Sequence, residues 1–264
     1  MRINRRRFGE IAGRIFSSFA FGSACRLSEG SLAGHRFSGA GEANDGRLAA
    51  RPRANVSTSA KGERLGLGGA RDAILRLPAN APAAPLPLLV LLHGAGGSGE
   101  GILRRLGAAA EEAGVAVLAP DSRGSSWDGI RGGFGADVTF VDRALERVFE
   151  DVSVDPARIA VGGFSDGATY ALSLGLVNGD LFRRVVAFSP GFVVNGTAHG
   201  KPRFFISHGT IDQILPIDQC SRVIVPWLRT RGYDVTFREF GGGHEMPPAI
   251  AGEGMRWVAA APPA

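Results

Sequence analysis

A serine hydroxyl is a poor nucleophile at neutral pH and attacks a carbonyl carbon only when a base takes its proton and an acid orients that base. The sequence offers one ordered set of such groups, Ser165, Asp212 and His244, spaced 47 and 32 positions apart. Ser165 sits in Gly163-Phe164-Ser165-Asp166-Gly167, a G-x-S-x-G motif. Its glycines are needed where a sharp strand-to-helix turn strains the serine backbone and brings strand and helix too close for side chains. Asp212 closes Ser207-His-Gly-Thr-Ile-Asp212, and His244 follows Gly241-Gly-Gly243. Taken alone, the serine motif also fits a glycine-rich turn capped by Ser165. The acid and the histidine further along, in that chain order, point to acyl transfer instead.

The competing residues are weaker. His35 precedes the folded region, His93 precedes the serine, His199 lies in a polar loop, and His208 at a strand end reads as a structural hydrogen-bonding residue. Asp218 is placed to cap a helix beginning at Gln219, and Asp234 comes before a strand rather than after one. A tetrahedral intermediate also needs backbone donors for its oxyanion. Position selects the amide of Asp166, directly after the nucleophile, and that of Ala95 in His93-Gly94-Ala95-Gly96-Gly97. Phosphate binding is the alternative for the latter loop, but the Gly-Lys-Ser/Thr ending of a phosphate loop is missing. Trp127, Phe164 and Phe192 are candidate pocket walls, with ordinary core as the alternative for each.

These groups must be held by regular elements. From about residue 63 short apolar runs alternate with helical patterns, as in crossover units around a mostly parallel sheet. Strands are expected at 73–77, 86–92, 115–119, 158–161, 185–188, 204–207 and 235–240, and helices at 101–113, 137–150, 168–176, 218–231 and 248–260. Leu86 to Leu92 is apolar throughout, the pattern of a strand covered on both faces. Residues 137–150 carry Val138, Val141, Leu145, Val148 and Phe149 at helical spacing. In such a sheet ligands gather at the carboxyl ends of the strands, which is where all the groups above fall.

With Leu92-His-Gly-Ala-Gly-Gly97, Gly162-Gly-Phe-Ser-Asp-Gly167, Phe188-Ser-Pro-Gly191, His208-Gly-Thr-Ile-Asp212 and Gly243-His244, residues 86–260 resemble the phospholipase/carboxylesterase family of α/β-hydrolases, which includes acyl-protein thioesterase-like enzymes. The resemblance implies an α/β-hydrolase fold with helices flanking the sheet. It implies the triad Ser165, Asp212 and His244 and the oxyanion amides of Ala95 and Asp166. Asp166 stands where many thioesterase-like members have Gln, a departure that bears on ester against thioester preference. No insertion after Phe188 is long enough for a large cap domain, so an open, shallow site is expected. The expected activity is hydrolysis of a small-molecule carboxylic ester through an acyl-enzyme. Thioesterase, peptidase or acyltransferase activity would use the same residues, and a non-catalytic binding module is the remaining alternative.

Composition removes other classes. The formal net charge is +5, but residues 1–64 carry +7 and residues 65–264 carry −2, so the domain shows no basic stripe for nucleic acid. The two cysteines, Cys25 and Cys220, form no metal or disulfide pattern, and no cofactor is implied. The start, Asn4-Arg5-Arg6-Arg7-Phe8 ahead of an apolar stretch at 11–24, resembles a twin-arginine export signal over 1–25 and points to a periplasmic or secreted protein, with a cytoplasmic location as the alternative. Cys25 is a weak match to a lipid attachment site, because Gly22 stands where Leu is usual. Residues 26–62, rich in Gly, Ala, Ser and Arg, read as a disordered linker ahead of a domain at 63–264, and no stretch is apolar enough for an integral membrane span.

Overall fold

A computed structural model describes residues 45–81, 84–194 and 196–261. The export signal expected at 1–25 lies outside them, as does His35. Ala43–Ala264 forms one compact unit.

Seven strands build one sheet: β1 (Ala73–Arg76), β2 (Leu86–Leu92), β3 (Ala116–Pro120), β4 (Val154–Phe164), β5 (Arg184–Phe188), β6 (Arg203–Gly209) and β7 (Val235–Phe240). Their order is β1-β3-β2-β4-β5-β6-β7, with only β1 antiparallel to its neighbour. Among the described residues five α-helices flank it: α1 (Gly99–Glu112), α2 (Ala136–Asp151), α3 (Asp166–Val177), α4 (Ser221–Arg229) and α5 (Pro248–Ala259). The α/β class and the mostly parallel sheet are thus as the sequence predicts.

The fully apolar β2 explains itself by its neighbours. Leu86, Leu88, Val90 and Leu92 pack into the cluster that holds α2, α3 and α4 residues, whereas Leu89 and Leu91 pack with Ile102, Leu103 and Leu106 of α1 and Met255 of α5. A two-residue side-chain period therefore feeds both faces of one sheet, and neither face of β2 sees water.

Strand β4 is longer than expected, Val154–Phe164 against 158–161, and two helix starts also shift. Helix α3 starts at Asp166, immediately after Ser165, because the turn leaves no loop between strand and helix. Helix α4 starts only at Ser221, and Asp218 does not cap it but pairs with Arg222 at 2.8 Å. A larger difference concerns the expected linker, whose second half packs on the domain. Leu48 is 2% exposed, its N–H donates to Asn178 Oδ1 at 2.9 Å, and the Ala49 and Ala50 amides both donate to Asp142 Oδ1. Arg47 forms a two-pronged ion pair with Asp180, and Arg51 reaches the same carboxylate.

Register decides where the loops meet. Leu92 lies opposite Gly163, Phe164 opposite Phe188, Phe188 opposite Ser207 and Gly209 opposite Phe240. The segments after β2, β4, β5, β6 and β7 consequently leave the sheet at one end. Residues 189–202, between β5 and β6, form no helix among their described residues, so that segment supplies no helical cap there.

Candidate active site

Ser165 occupies the step from β4 into α3 with φ +59° and ψ −121°. Few non-glycine residues adopt a left-handed φ of this kind, so neighbouring contacts must impose it. The Ser165 N–H donates to Phe188 O at 3.0 Å, and its carbonyl accepts from Thr169 N–H at 3.0 Å. Close approach requires the flanking glycines: a Cβ on Gly163 would lie 2.5 Å from the Gly167 backbone, and one on Gly167 would lie 2.2 Å from Leu92 O.

Above this turn the three distant side chains form a line. His244 Nε2 is 2.8 Å from Ser165 Oγ, and His244 Nδ1 is 2.7 Å from Asp212 Oδ2. The geometry fixes the proton positions. An ionised carboxylate only accepts, so Nδ1 carries the hydrogen and Nε2 offers its lone pair to the serine hydroxyl. The imidazole keeps 15% of its side-chain surface exposed, whereas the Asp212 side chain has none.

Burial by itself would favour the neutral Asp212. Hydrogen bonds from His208, His244 and the Leu215 N–H outweigh that penalty and hold the carboxyl well below the usual carboxylate range. Oδ1 accepts Ile214 N–H at 2.9 Å and Leu215 N–H at 2.8 Å; Oδ2 lies 3.2 Å from His208 Nε2. That same nitrogen is 2.7 Å from Leu215 O, so it must be protonated, and His208 Nδ1 then accepts from Ser221 Oγ at 2.7 Å. His208 is structural, as its strand-end position implies, but it also steadies the acid. Its position four residues before Asp212 on the strand leading into the acid's loop was the available signal for that second role.

The loop that bears Ala95 approaches the turn that bears Asp166. A Cβ on Gly94 would be 3.4 Å from Ser165 Cβ, so the loop after β2 lies directly on the turn. Among the described residues, neither the Ala95 nor the Asp166 N–H donates to a protein acceptor. The Asp166 carboxylate itself accepts from Ser126 Oγ at 2.5 Å.

The three candidate pocket walls separate. Phe164 is a buried core residue that also borders the triad, its ring 4.9 Å from the His244 ring and 4.9 Å from the Arg105 guanidinium. Trp127 is buried core: it stacks on Tyr170 and donates Nε1–H to His93 O at 2.8 Å. Phe192 is half-buried just after Gly191, whose N–H donates to Thr169 Oγ1. Ile211 and Ile214 are exposed apolar side chains on the loop that bears Asp212, which sequence reasoning did not single out. Asp234 pairs with Arg203 away from the line, and His199 is exposed in its loop. An arrangement of this kind can activate a hydroxyl, accept its proton and stabilise a developing oxyanion.

Comparisons with known proteins bear on the family and the fold. The phospholipase/carboxylesterase family model matches residues 128–259, half of the chain. Feruloyl esterase C of Emericella nidulans is 30% identical over 157 residues, covering 56% of this chain and 57% of that protein. The chain spans about half the length of the curated relatives it matches. Among solved structures, the acetyl xylan esterase from Aspergillus awamori aligns with a TM-score of 0.59 at 17% identity, over 76% of this chain and 100% of that one. Esterase PE8 aligns with a TM-score of 0.56 at 22% identity, over 70% and 95%. At such identities the structural likeness shows the shared fold.

Proposed function

The chain belongs to the phospholipase/carboxylesterase family, and from that premise we propose that it is a serine hydrolase cleaving carboxylic esters through Ser165, His244 and Asp212. The observation that carries this reading is the hydrogen-bonded line of hydroxyl, imidazole and carboxylate, at 2.8 and 2.7 Å. The esterase relatives support carboxylic esters as the substrate class.

In the first step Ser165 Oγ attacks the ester carbonyl carbon while His244 Nε2 takes its proton. The carbonyl π electrons move onto oxygen, and the Ala95 and Asp166 N–H groups receive that charge. Asp212 stabilises the imidazolium. Collapse of the intermediate expels the alcohol oxygen, which takes the proton from Nε2 and leaves an acyl-serine. Water then loses a proton to His244 and attacks the acyl carbon. The second collapse returns the proton to Ser165 and releases the acid.

Replacing Ser165 by Ala tests the assignment. Turnover of short p-nitrophenyl esters should fall by at least about 10³-fold, and fluorophosphonate labelling should vanish. Undiminished turnover removes the proposal, and a folded wild-type chain that takes no fluorophosphonate favours a non-catalytic module. The arginine-led start supports export as part of the same reading. Changing Arg5 and Arg6 together to Lys should retain the protein inside the cell; unaltered fractionation would refute a twin-arginine route.

A further inference from the structure

The orientation of the Ala95 N–H is set by groups on the far side of its own peptide. Gly94 and Ala95 share one planar trans unit, so the Gly94 carbonyl and the Ala95 N–H point in opposite directions. That carbonyl is gripped twice, by His93 Nδ1 at 2.7 Å and by Gly97 N–H at 3.0 Å. Donation through Nδ1 leaves His93 Nε2 as an acceptor, which takes Ser122 N–H at 3.0 Å. Burial lowers the pKa of His93; the Gly94 bond opposes this and the nearby Arg71 charge adds to it, so the ring stays neutral.

Arg71 ties these pieces together. Its Nε donates to Ser122 O, and its Nη2 donates to Ser122 Oγ at 3.2 Å and to Gly97 O at 3.2 Å. The same nitrogen stands 3.4 Å from His93 Nε2. One planar guanidinium therefore joins the loop after β2 to the loop after β3 from a third segment. That segment is itself fixed: Asp72 accepts the Gly66 and Leu67 N–H groups, and the Asp72 N–H donates to Asp121 Oδ2. Arg71 lies outside the residues matched by the family model.

Resting on the ester-hydrolase reading above, we infer that Arg71 is a positioning residue of that reaction, holding the Gly94–Ala95 peptide so that the Ala95 N–H meets the oxyanion. It touches no reacting atom; it acts through Gly97, Ser122 and His93.

The test uses the full chain with Arg71→Met and Arg71→Lys, with active sites counted by fluorophosphonate titration. In Arg71→Met, kcat should fall about 10- to 100-fold while KM stays within about threefold, since loosening a donor acts on the transition state. Affinity for a trifluoromethyl ketone, which adds to Ser165 and puts an oxyanion in the hole, should weaken by a similar factor. Arg71→Lys keeps the charge but lacks the fork that spans Gly97 O and Ser122 O, so it should restore only part of both. A merely structural role would lower the melting temperature and leave the per-site kcat and the ketone affinity unchanged, and that result overturns the inference. If Arg71→Met yields no folded protein, Arg71→Lys decides: unchanged kcat and ketone affinity there overturn it, and matched losses support it. Absence of ester turnover by the wild-type chain removes both readings; turnover with unaltered Arg71 variants removes this one alone.

Discussion

Asp212→Asn is the sharpest probe of the site because it preserves shape and changes only who donates. The new amide must place its oxygen where Oδ1 now accepts Ile214 and Leu215 N–H at 2.9 and 2.8 Å. Its NH₂ then occupies the Oδ2 position, 2.7 Å from His244 Nδ1 and 3.2 Å from His208 Nε2. Turning the amide over would set NH₂ against two backbone donors, at about 1–3 kcal/mol for each buried group left unpaired. Moving the His244 proton from Nδ1 to Nε2 costs less, so the imidazole switches tautomer and its lone pair turns away from Ser165. On the scale known for the same substitution in a serine-protease triad, kcat should fall about 10⁴-fold, or about 5.5 kcal/mol in barrier. Steady-state hydrolysis of p-nitrophenyl butyrate with titrated sites measures the loss, and the Nδ1–H proton resonance of His244 should disappear. A folded variant with kcat within tenfold of wild type, or with that resonance intact, would refute the tautomer argument.

Other expectations follow from the packing and the charges. Asp180, held far below the ordinary carboxylate range first by its hydrogen bond to Arg47 and further by the Arg47 and Arg51 charges, binds protons more weakly folded than unfolded. It therefore stabilises the fold above about pH 4 and loses that contribution as pH falls further, so Asp180→Asn should flatten the acid-side decline of the melting temperature; an unchanged slope argues against the pair. Leu48→Ala, in the arm that looks like linker, should cost about 2–3 kcal/mol in urea unfolding with kcat nearly unaltered. A loss below about 0.5 kcal/mol would mean the arm is not anchored. Gly167→Ala, whose Cβ would meet Leu92 O at 2.2 Å, should leave no active soluble enzyme, and near-normal fluorophosphonate labelling of it would contradict the elbow geometry.

What could be read in advance was whatever has a local signature. The buried run of β2, the glycine spacing about Ser165 and the order of Ser165, Asp212 and His244 each depend on a few adjacent residues or on chain order. The arm at 45–62 was misread because its anchors are remote: Leu48 and Arg47 meet Asn178 and Asp180 some 130 positions away, and nothing in a Gly-, Ala- and Arg-rich stretch encodes those partners. Trp127 failed as a pocket wall for the same reason, since only the fold brings His93 O within 2.8 Å of its indole nitrogen. Asp218 has the right residue type and offset for a cap, but Arg222 one turn later competes for its carboxylate and the helix begins beyond it. Arg71 offered no sequence signal at all, because its value lies in reaching two loops that converge only in three dimensions.

In the proposed reaction, charge separates around Ser165. As the hydroxyl attacks, positive charge grows on His244 and negative charge on the carbonyl oxygen. Asp212, fully buried yet ionised by its surrounding donors, stands behind the first. Behind the second lies a peptide whose carbonyl is held by a neutral histidine, with the Arg71 guanidinium beyond it. The fixed charges thus run in the direction that opposes the developing dipole, and both are set before substrate arrives, so neither must reorganise during reaction. Asp166 brings a carboxylate directly after the nucleophile. Its Oδ2 accepts from Ser126 Oγ at 2.5 Å, a bond that joins α3 to the loop that follows β3. That loop also holds His93 through Ser122 and Gly96 through Ser125 O, so the carboxylate's tie reinforces the same segment that keeps the Ala95 amide in place.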